Sequence, residues 1–283
     1  MYITSHSTNL TMYWELMMKK LSWHYKKLIF FFKRRINLDK KIKYKTLDNL
    51  FNYFGTDKGT KNPDDLNPNE FGHGFAESYE KHLNKFKNEK INFLEIGTSE
   101  GASLASFTQY FSNANIYGID RNFKLKYKSK RIFFFNCDTT NKKDLEKFKR
   151  KIPKNNFKII IDDGSHLLKG IINNLRFFFP LVAKDGYYII EDFNQPENYY
   201  GIDRNSYLDD DRSEIFFKNI IQSIKDKIFF KSMILTKEDQ MYLFDSIKYI
   251  NIYKGKMVDE QGKNVSDIVF FKKKNLDQYK LNK

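Results

Sequence analysis

The chain contains 283 residues, of which 41% are hydrophobic and 30% are charged. This length corresponds to one large domain or to a domain with an appendage, and the apolar share excludes global disorder. The single cysteine, Cys137, excludes a disulfide framework and any metal site built from several cysteines. No apolar run approaches the ~20 residues of a membrane-spanning helix, and no signal peptide is apparent, so the sequence predicts a cytoplasmic protein.

Positive charge is concentrated at the start of the chain. Residues 1–45 hold 11 basic side chains against Glu15 and Asp39, so this segment supplies most of the chain's net charge of +15. Because the body is close to neutral, we expect no nucleic acid partner. Apolar residues recur at helical spacing among the lysines: Trp14, Met17, Leu21, Tyr25, Leu28 and Phe32. The pattern predicts a basic amphipathic extension over residues 1–45, which lies on an anionic membrane surface, packs onto the body as a helix or is only partly ordered.

Residues 46–283 form one predicted domain, in which short apolar runs alternate with segments of helical spacing. The runs typical of buried strands are residues 91–96, 115–119, 131–135, 157–163 and 187–192, and the helical segments are residues 103–111, 142–150 and 167–179. This alternation predicts an α/β fold with a Rossmann-like, doubly wound, mostly parallel sheet. Residues 247–253 and 267–272 are interpreted as a closing antiparallel strand pair.

The first turn from strand to helix contains Gly97 and Gly101. Glycines allow a sharp backbone turn and the close approach of a ligand. A dinucleotide fingerprint requires glycine where Ser99 stands, and Glu95 at the strand end would repel a pyrophosphate. An NAD-dependent oxidoreductase is therefore the weaker alternative, and Glu95 suits a ligand that has a cationic part and hydroxyls. A turn with a purely structural role stays open.

The next two strands also end in acids. Asp120 ends the second strand, where a carboxylate can accept both hydroxyls of a ribose. Asp138 follows the third strand, where the exocyclic amine of a base could donate. Acids at three successive strand ends match the rule that open α/β sheets bind ligands at the carboxyl ends of their strands.

A second set of acids follows two later strands. Asp162 and Asp163 end one strand, and Glu191 and Asp192 end the next. If these strands are neighbours, their ends lie ~5 Å apart, and so many carboxylates without a cation would repel one another. Mg²⁺ favours a few carboxylates together with water and substrate oxygens, so the pattern predicts a metal site. The alternative is that some of these acids cap the following helices.

Five motifs carry a resemblance to a known family. They are GTDKG at residues 55–59, LEIG at residues 94–97 followed by Gly101 and Ser103, YGID at residues 117–120, IIDDGSH at residues 160–166 and IIED at residues 189–192. Together they resemble the class I S-adenosylmethionine-dependent methyltransferases. The resemblance is greatest to the metal-dependent sugar O-methyltransferases of the macrocin and mycinamicin type, and it covers approximately residues 50–255.

This resemblance implies S-adenosyl-L-methionine as the methyl donor, Mg²⁺ as a second cofactor and His166 as the general base. The implied donor-binding residues are Glu95, Gly97, Gly101, Ser103, Asp120, Asp138 and Asp162, and the implied metal ligands are Asp163, Glu191 and Asp192. An alternative for His166 is that it only orients the metal-binding loop, and His73 is a weaker second candidate for the base. The roles of Asp57 and Lys58 stay open.

The implied reaction is methylation of a sugar hydroxyl on a glycan or a glycosylated metabolite, by an enzyme that could form a homo-oligomer. Residues 194–211 follow the metal-binding strand directly and are interpreted as the loop that faces the acceptor. A non-catalytic protein that binds a membrane surface or RNA through residues 1–45 is the alternative from another functional class. The sequence does not indicate which hydroxyl is modified.

Overall fold

The computed structural model describes residues 34–61, 72–122, 124–153, 157–193, 217–258, 262, 264 and 266–275. Most of the predicted extension over residues 1–45 therefore lies outside the described residues, and the predicted acceptor-facing loop at residues 194–211 lies wholly outside them. The division of the chain at residue 45 stays a prediction. None of the helices among the described residues has both the length and the apolar character that crossing a membrane requires.

The described residues contain nine strands, seven of which form one sheet. In chain order the strands are β1 (Ile36–Asn37), β2 (Asn92–Ile96), β3 (Asn115–Asp120), β4 (Tyr127–Lys128), β5 (Ile132–Asn136), β6 (Phe157–Asp162), β7 (Val182–Glu191), β8 (Ile247–Lys254) and β9 (Asp267–Lys273). The large sheet has the order β5-β3-β2-β6-β7-β9-β8. Its first five strands are parallel, and β9 runs antiparallel to both β7 and β8. The predicted mostly parallel sheet with a C-terminal antiparallel pair is confirmed.

Seven α-helices accompany these strands in the described part of the chain. They are α1 (Leu47–Phe54), α2 (Ala76–Leu83), α3 (Ala102–Tyr110), α4 (Lys142–Lys151), α5 (Leu168–Phe178), α6 (Phe217–Asp226) and α7 (Lys237–Ser246). The helices predicted at residues 103–111, 142–150 and 167–179 correspond to α3, α4 and α5, with each end within one residue. The five predicted parallel strands are also present. Strand β7 begins five residues earlier than predicted, because Val182 already pairs with Phe157 of β6 ahead of the continuous pairing that starts at Tyr187.

Two apolar clusters cover the opposite faces of the large sheet. Phe93 packs with side chains of α1, α2 and α3, whereas its neighbour Leu94 packs with side chains of α4, α5, α6 and α7. Successive side chains of a strand point to opposite faces, so a sheet buried on both sides needs continuous apolar runs. This explains why its strands were visible in the sequence as unbroken stretches of Ile, Phe and Tyr.

The start of the described chain is joined to this body. Strand β1 pairs in parallel with β4, and the Gln109 side chain donates to the Leu38 carbonyl oxygen at 2.8 Å. Leu38 is buried against Ala105 and Tyr127. Residues 36–38, near the end of the predicted extension, therefore pack against the body.

Candidate active site

The turn between β2 and α3 requires glycine at two positions. Gly97 has a φ of +83° and Gly101 a φ of +91°, both in the left-handed region that side chains with a Cβ rarely adopt. The amide nitrogens of Gly97 and Thr98 donate to the carbonyl oxygen of Ile119 at 2.9 and 3.3 Å, which fixes the turn to the end of β3. Ser99, where a dinucleotide fingerprint would have glycine, also has a positive φ of +46°.

Two cavities lie beside this turn, at the carboxyl ends of the parallel strands. The first has a volume of about 460 Å³ and includes Gly97, Asp120 and Asp138 in its lining. The second has a volume of about 340 Å³ and includes Gly97, Gly101 and Ser103. Five of the seven predicted donor-binding residues therefore line these cavities, and Gly97 and Asp163 border both of them.

Glu95 lies fully buried near the end of β2. Neither of its carboxyl oxygens makes a hydrogen bond within the described structure, and the buried hydroxyls of Thr98 and Ser103 also lack hydrogen-bond partners there. Burial raises the pKa of Glu95 to about 7, although the nearby charge of Lys58 opposes this shift. An acid and two hydroxyls that are buried without partners form an environment suited to a cationic ligand group.

Asp162 occupies a different kind of position. Its Oδ1 accepts a hydrogen bond from the Asn174 amide at 3.0 Å, and its Oδ2 accepts one from the Tyr188 hydroxyl at 2.9 Å. Burial nevertheless raises the pKa of Asp162 to about 7. The carboxylate thereby ties the end of β6 to α5 and β7, and its predicted contact with the donor stays a prediction.

Strand register brings the second set of acids together. Ile96 is paired with Asp162, and Asp162 is paired with Ile190, so β2, β6 and β7 end at the same edge of the sheet. Just beyond these pairs, Asp163, His166 and Asp192 each offer one ligand atom, and the three atoms lie within 4.8 Å of one another. The Nε2 of His166 is 3.8 Å from the Oδ1 of Asp163, and the His166 side chain is 32% exposed.

Glu191 is adjacent to this group of three, but its oxygens already have partners. Its Oε2 accepts from the Lys58 ammonium at 2.5 Å, and its Oε1 accepts from the Tyr79 hydroxyl. Burial raises the pKa of Glu191 to about 8, although the charge of Lys58 opposes this shift. Glu191 is joined to Asp163 through Lys58, which also donates to the Oδ2 of Asp163.

The backbone at Asp192 has an unusual conformation. Its φ is +50°, a value uncommon for any residue other than glycine. The Asp192 amide donates to the carbonyl oxygen of Asp267 at 2.7 Å, so β9 holds this turn in place. Backbone strain of this kind persists where the surrounding structure supports it, and it is concentrated at functional sites.

Three residues near the acids were missed or left without a role by the sequence analysis. Lys58 lies in a quoted motif whose function stayed open, whereas Tyr79 carried no sequence signal. His73 was considered only as a base, yet its Nδ1 is 3.3 Å from an Asp192 oxygen and its Nε2 is 3.5 Å from an Asp57 oxygen. Burial lowers the pKa of His73, but these two acids outweigh burial and raise it to about 10. The weaker prediction that His73 is the base stays a prediction.

Comparison with known proteins places the chain near a group of sugar-modifying enzymes. No family profile matches it. Mycinamicin VI 2''-O-methyltransferase of Micromonospora griseorubida is 31% identical over 129 residues, which are 43% of this chain and 32% of the relative. Demethylmacrocin O-methyltransferase of Streptomyces fradiae is 31% identical over 127 residues, which are 42% of this chain and 32% of the relative.

The chain resembles the sugar O-methyltransferases. A third relative, 8-demethyl-8-alpha-L-rhamnosyl tetracenomycin-C 2'-O-methyltransferase of Streptomyces olivaceus, is 26% identical over 160 residues, or 54% of this chain and 41% of the relative. The resemblance predicted from the motifs is thus confirmed. The matched segments span between about a third and two fifths of the length of these curated relatives.

A solved structure supports the fold assignment. The MycE methyltransferase of the mycinamycin biosynthetic pathway, in complex with Mg and SAH, superposes with a TM-score of 0.58 and 23% identity. The superposition covers 85% of this chain and 57% of the MycE chain. This chain therefore has the Rossmann-like fold of that methyltransferase.

Proposed function

We propose that this protein is an S-adenosyl-L-methionine-dependent O-methyltransferase that requires Mg²⁺ and modifies a sugar hydroxyl on a glycan or a glycosylated small molecule. The observation that carries the proposal is that the proposed donor site and the proposed metal site lie side by side at Gly97. This residue borders both cavities and contacts the strand end that bears Asp163. The similarity to sugar O-methyltransferases supports the choice of acceptor. One of these relatives acts on a rhamnosyl tetracenomycin C, according to its name.

The residues of the two cavities suit the proposed donor. An ammonium group would supply the hydrogen bonds that buried Glu95 and Ser103 lack. Asp120 accepts hydrogen bonds from the amides of Ser99 and Asn122 at 2.9 and 2.7 Å, and each of its oxygens retains a second lone pair for a ribose hydroxyl. When bound, S-adenosyl-L-methionine supplies a methyl group activated by a positively charged sulfur.

The acids at the strand ends suit the proposed metal. Asp163 and Asp192 each place a carboxylate oxygen within 4.8 Å of the other, and such oxygens are the donor type that Mg²⁺ prefers. Glu191 is proposed as the third carboxylate ligand on the basis of the sequence resemblance alone. In the structure the Lys58 ammonium lies between Glu191 and Asp163. When bound, Mg²⁺ supplies a Lewis acid that lowers the pKa of the acceptor hydroxyl.

His166 is proposed as the general base. Its Nε2 faces the Oδ1 of Asp163, and about a third of the side chain is exposed to solvent. In the proposed reaction the acceptor oxygen takes the methyl group from sulfur, and the hydroxyl proton passes to the Nε2 of His166. A base placed in this way contributes typically ~10²–10⁴-fold to the rate.

Neither alternative gains support from the described residues. Ser99 stands at a glycine position of the dinucleotide fingerprint, and the buried carboxylate of Glu95 disfavours the pyrophosphate of NAD. The membrane-surface and RNA-binding alternative depends on residues 1–45, most of which lie outside the described structure. Peripheral membrane contact, a homo-oligomer and a cytoplasmic location stay predictions.

The proposal is tested with a methyl-labelled donor and a panel of free sugars, glycosides and nucleotide sugars, each with Mg²⁺ or with a chelator. We expect label in a sugar acceptor only when Mg²⁺ is present. Undiminished transfer in chelator would remove the metal from the proposal. A chain that does not bind the donor in calorimetry would overturn the proposal as a whole.

A further inference from the structure

Two chain segments that precede the sheet are held together beside the acids. The amides of His73, Gly74 and Phe75 donate to the carbonyl oxygens of Asp57, Gly59 and Lys58 at 2.6, 2.9 and 2.9 Å, respectively. These bonds place the backbone of residue 58 next to that of residue 73. The side chains of both residues then reach the acids at the ends of β6 and β7.

Lys58 is buried to an extent that is rare for a lysine. It is 2% exposed, and its ammonium donates to Asp163 and to Glu191, the latter at 2.5 Å. Removing an ammonium from water is costly unless it is paired, and here two carboxylates offset that cost. The same ammonium relieves the repulsion that these two acids would otherwise exert on each other.

Asp163 has two oxygens with different surroundings. Its Oδ2 accepts from Lys58, whereas its Oδ1 faces His166 in the group of three ligand atoms. A cation held by Asp163 and Asp192 would share Asp163 with Lys58, and it would share Glu191 with Lys58 as well if it engaged that carboxylate. Lys58 therefore stands where its charge opposes that of an entering ion.

We propose that Lys58 is an internal counter-ion that competes with a divalent cation for Asp163 and Glu191. This inference rests on the proposed metal site. Without the ion, Lys58 offsets part of the negative charge of Asp163 and Glu191 and holds the ends of β6 and β7 together. With the ion, its positive charge weakens binding, so Lys58 sets the concentration of Mg²⁺ at which the site fills.

A purely structural lysine would behave in the opposite way. If Lys58 only held the two acids in place, its removal would leave them less ordered and would weaken ion binding. A counter-ion that competes with the metal gives tighter binding when it is removed, because its positive charge no longer repels the entering ion. The direction of the change in Mg²⁺ affinity therefore separates the two roles.

The test compares the full-length chain with its Lys58→Met variant, using calorimetric titration with Mg²⁺ and thermal unfolding in chelator and in Mg²⁺. We expect the Kd for Mg²⁺ to fall about tenfold, since a positive charge in contact with Asp163 and Glu191 repels a divalent ion at the same acids. The melting temperature of the variant in chelator should be lower than that of the parent. Adding Mg²⁺ should raise the melting temperature of the variant by more than that of the parent. Lys61→Met, which removes an exposed lysine of the same segment, should change neither quantity.

Weaker Mg²⁺ binding by Lys58→Met would overturn the inference. A parent chain that binds no Mg²⁺ would instead show that the proposed metal site is wrong, and the two failures are thus distinguishable. If Lys58→Met does not fold, the double variant Lys58→Met/Glu191→Gln is used instead, because it removes the Lys58 ammonium together with one of the two carboxylates that the ammonium contacts. We expect the double variant to fold and to show a melting transition in chelator, and a double variant that also fails to fold would contradict the counter-ion role.

Discussion

The backbone carbonyl oxygen of Asp163 lies so close to Gly97 that a Cβ at residue 97 would stand 2.1 Å from it. The Asp163 amide also donates to the carbonyl oxygen of Ile96 at 3.0 Å. The turn proposed to hold the donor and the strand end proposed to hold the metal are therefore in direct backbone contact. A substitution that moves the turn at Gly97 must therefore also move the backbone at Asp163.

Gly97→Ala tests this contact. The left-handed φ alone costs about 1–2 kcal/mol for a residue with a Cβ, and here the Cβ would also displace the Asp163 backbone. We expect a fall in the free energy of unfolding beyond that amount and a loss of donor affinity, measured by urea denaturation and calorimetry. Gly262→Ala is the matched control, because Gly262 has a φ of +75° and nothing within 4 Å of the added Cβ. Equal losses in the two variants would argue against the contact.

Glu95→Gln should show a pH-dependent gain in stability. Burial raises the pKa of Glu95 from 4.5 to about 7, so its charge penalises the folded state fully above pH 7 and not below pH 4.5. Without donor, we expect the variant to be more stable than the parent by up to about 3 kcal/mol at pH 8, with the difference shrinking toward pH 5. Urea denaturation at both pH values measures this difference.

Donor binding gives the second readout for the same variant. An ionised Glu95 would pair with the donor ammonium, so Glu95→Gln should bind the donor more weakly while folding more stably at pH 8. A variant whose stability gain is the same at pH 5 and pH 8 would contradict the raised pKa. Unchanged donor affinity would contradict the proposed ammonium contact.

His166→Ala should lower turnover by about 10²–10⁴-fold, the usual contribution of a general base. Donor binding should stay near that of the parent, because His166 is proposed to act on the acceptor proton. The control is His82→Gln: His82 is buried against Phe270 and hydrogen-bonded to Tyr253, and burial lowers its pKa to about 4. That control should lower the melting temperature without altering the pH–rate profile, whereas an unaltered profile in His166→Ala would exclude general-base catalysis.

Asp163→Ala should abolish transfer and weaken Mg²⁺ binding by at least about tenfold, because it removes a ligand from a site of few carboxylates. Calorimetric titration with Mg²⁺ measures the affinity, and the labelled-donor assay measures transfer. Asp226→Ala, which removes an exposed acid at the end of α6, serves as the control. Transfer by Asp163→Ala at the rate of that control would refute the metal role.

Much of the fold was predictable because a strand that is buried on both faces has a continuous apolar run in the sequence. Phe93 and Leu94 face different helical layers, yet both must be apolar, and so the strand is visible as an uninterrupted run. Helix α1 was not predicted, although Thr46 caps its start and Gly55 ends it in the left-handed conformation. Those signals are local and lie outside the βαβ pattern that guided the prediction.

The candidate site was predictable to the extent that it follows from strand register. Asp163 and Asp192 meet because parallel strands end at one edge, so their convergence could be derived from their positions at strand ends. Lys58 and Tyr79 reach Glu191 from segments 133 and 112 residues away in the chain. Such contacts depend on how α1 and α2 pack over the sheet, which spacing in the sequence does not encode.

Strand β9 is the last described element of the chain, but it lies between β7 and β8 and accepts the Asp192 amide through Asp267. During synthesis, β7 cannot acquire its second neighbour until residues 267–273 have left the ribosome. The edge that carries Glu191 and Asp192 is consequently among the last parts of the molecule to mature. Nascent chains released before that point would present the glycine turn without a completed acidic edge, and premature termination near residue 260 should yield an inactive product.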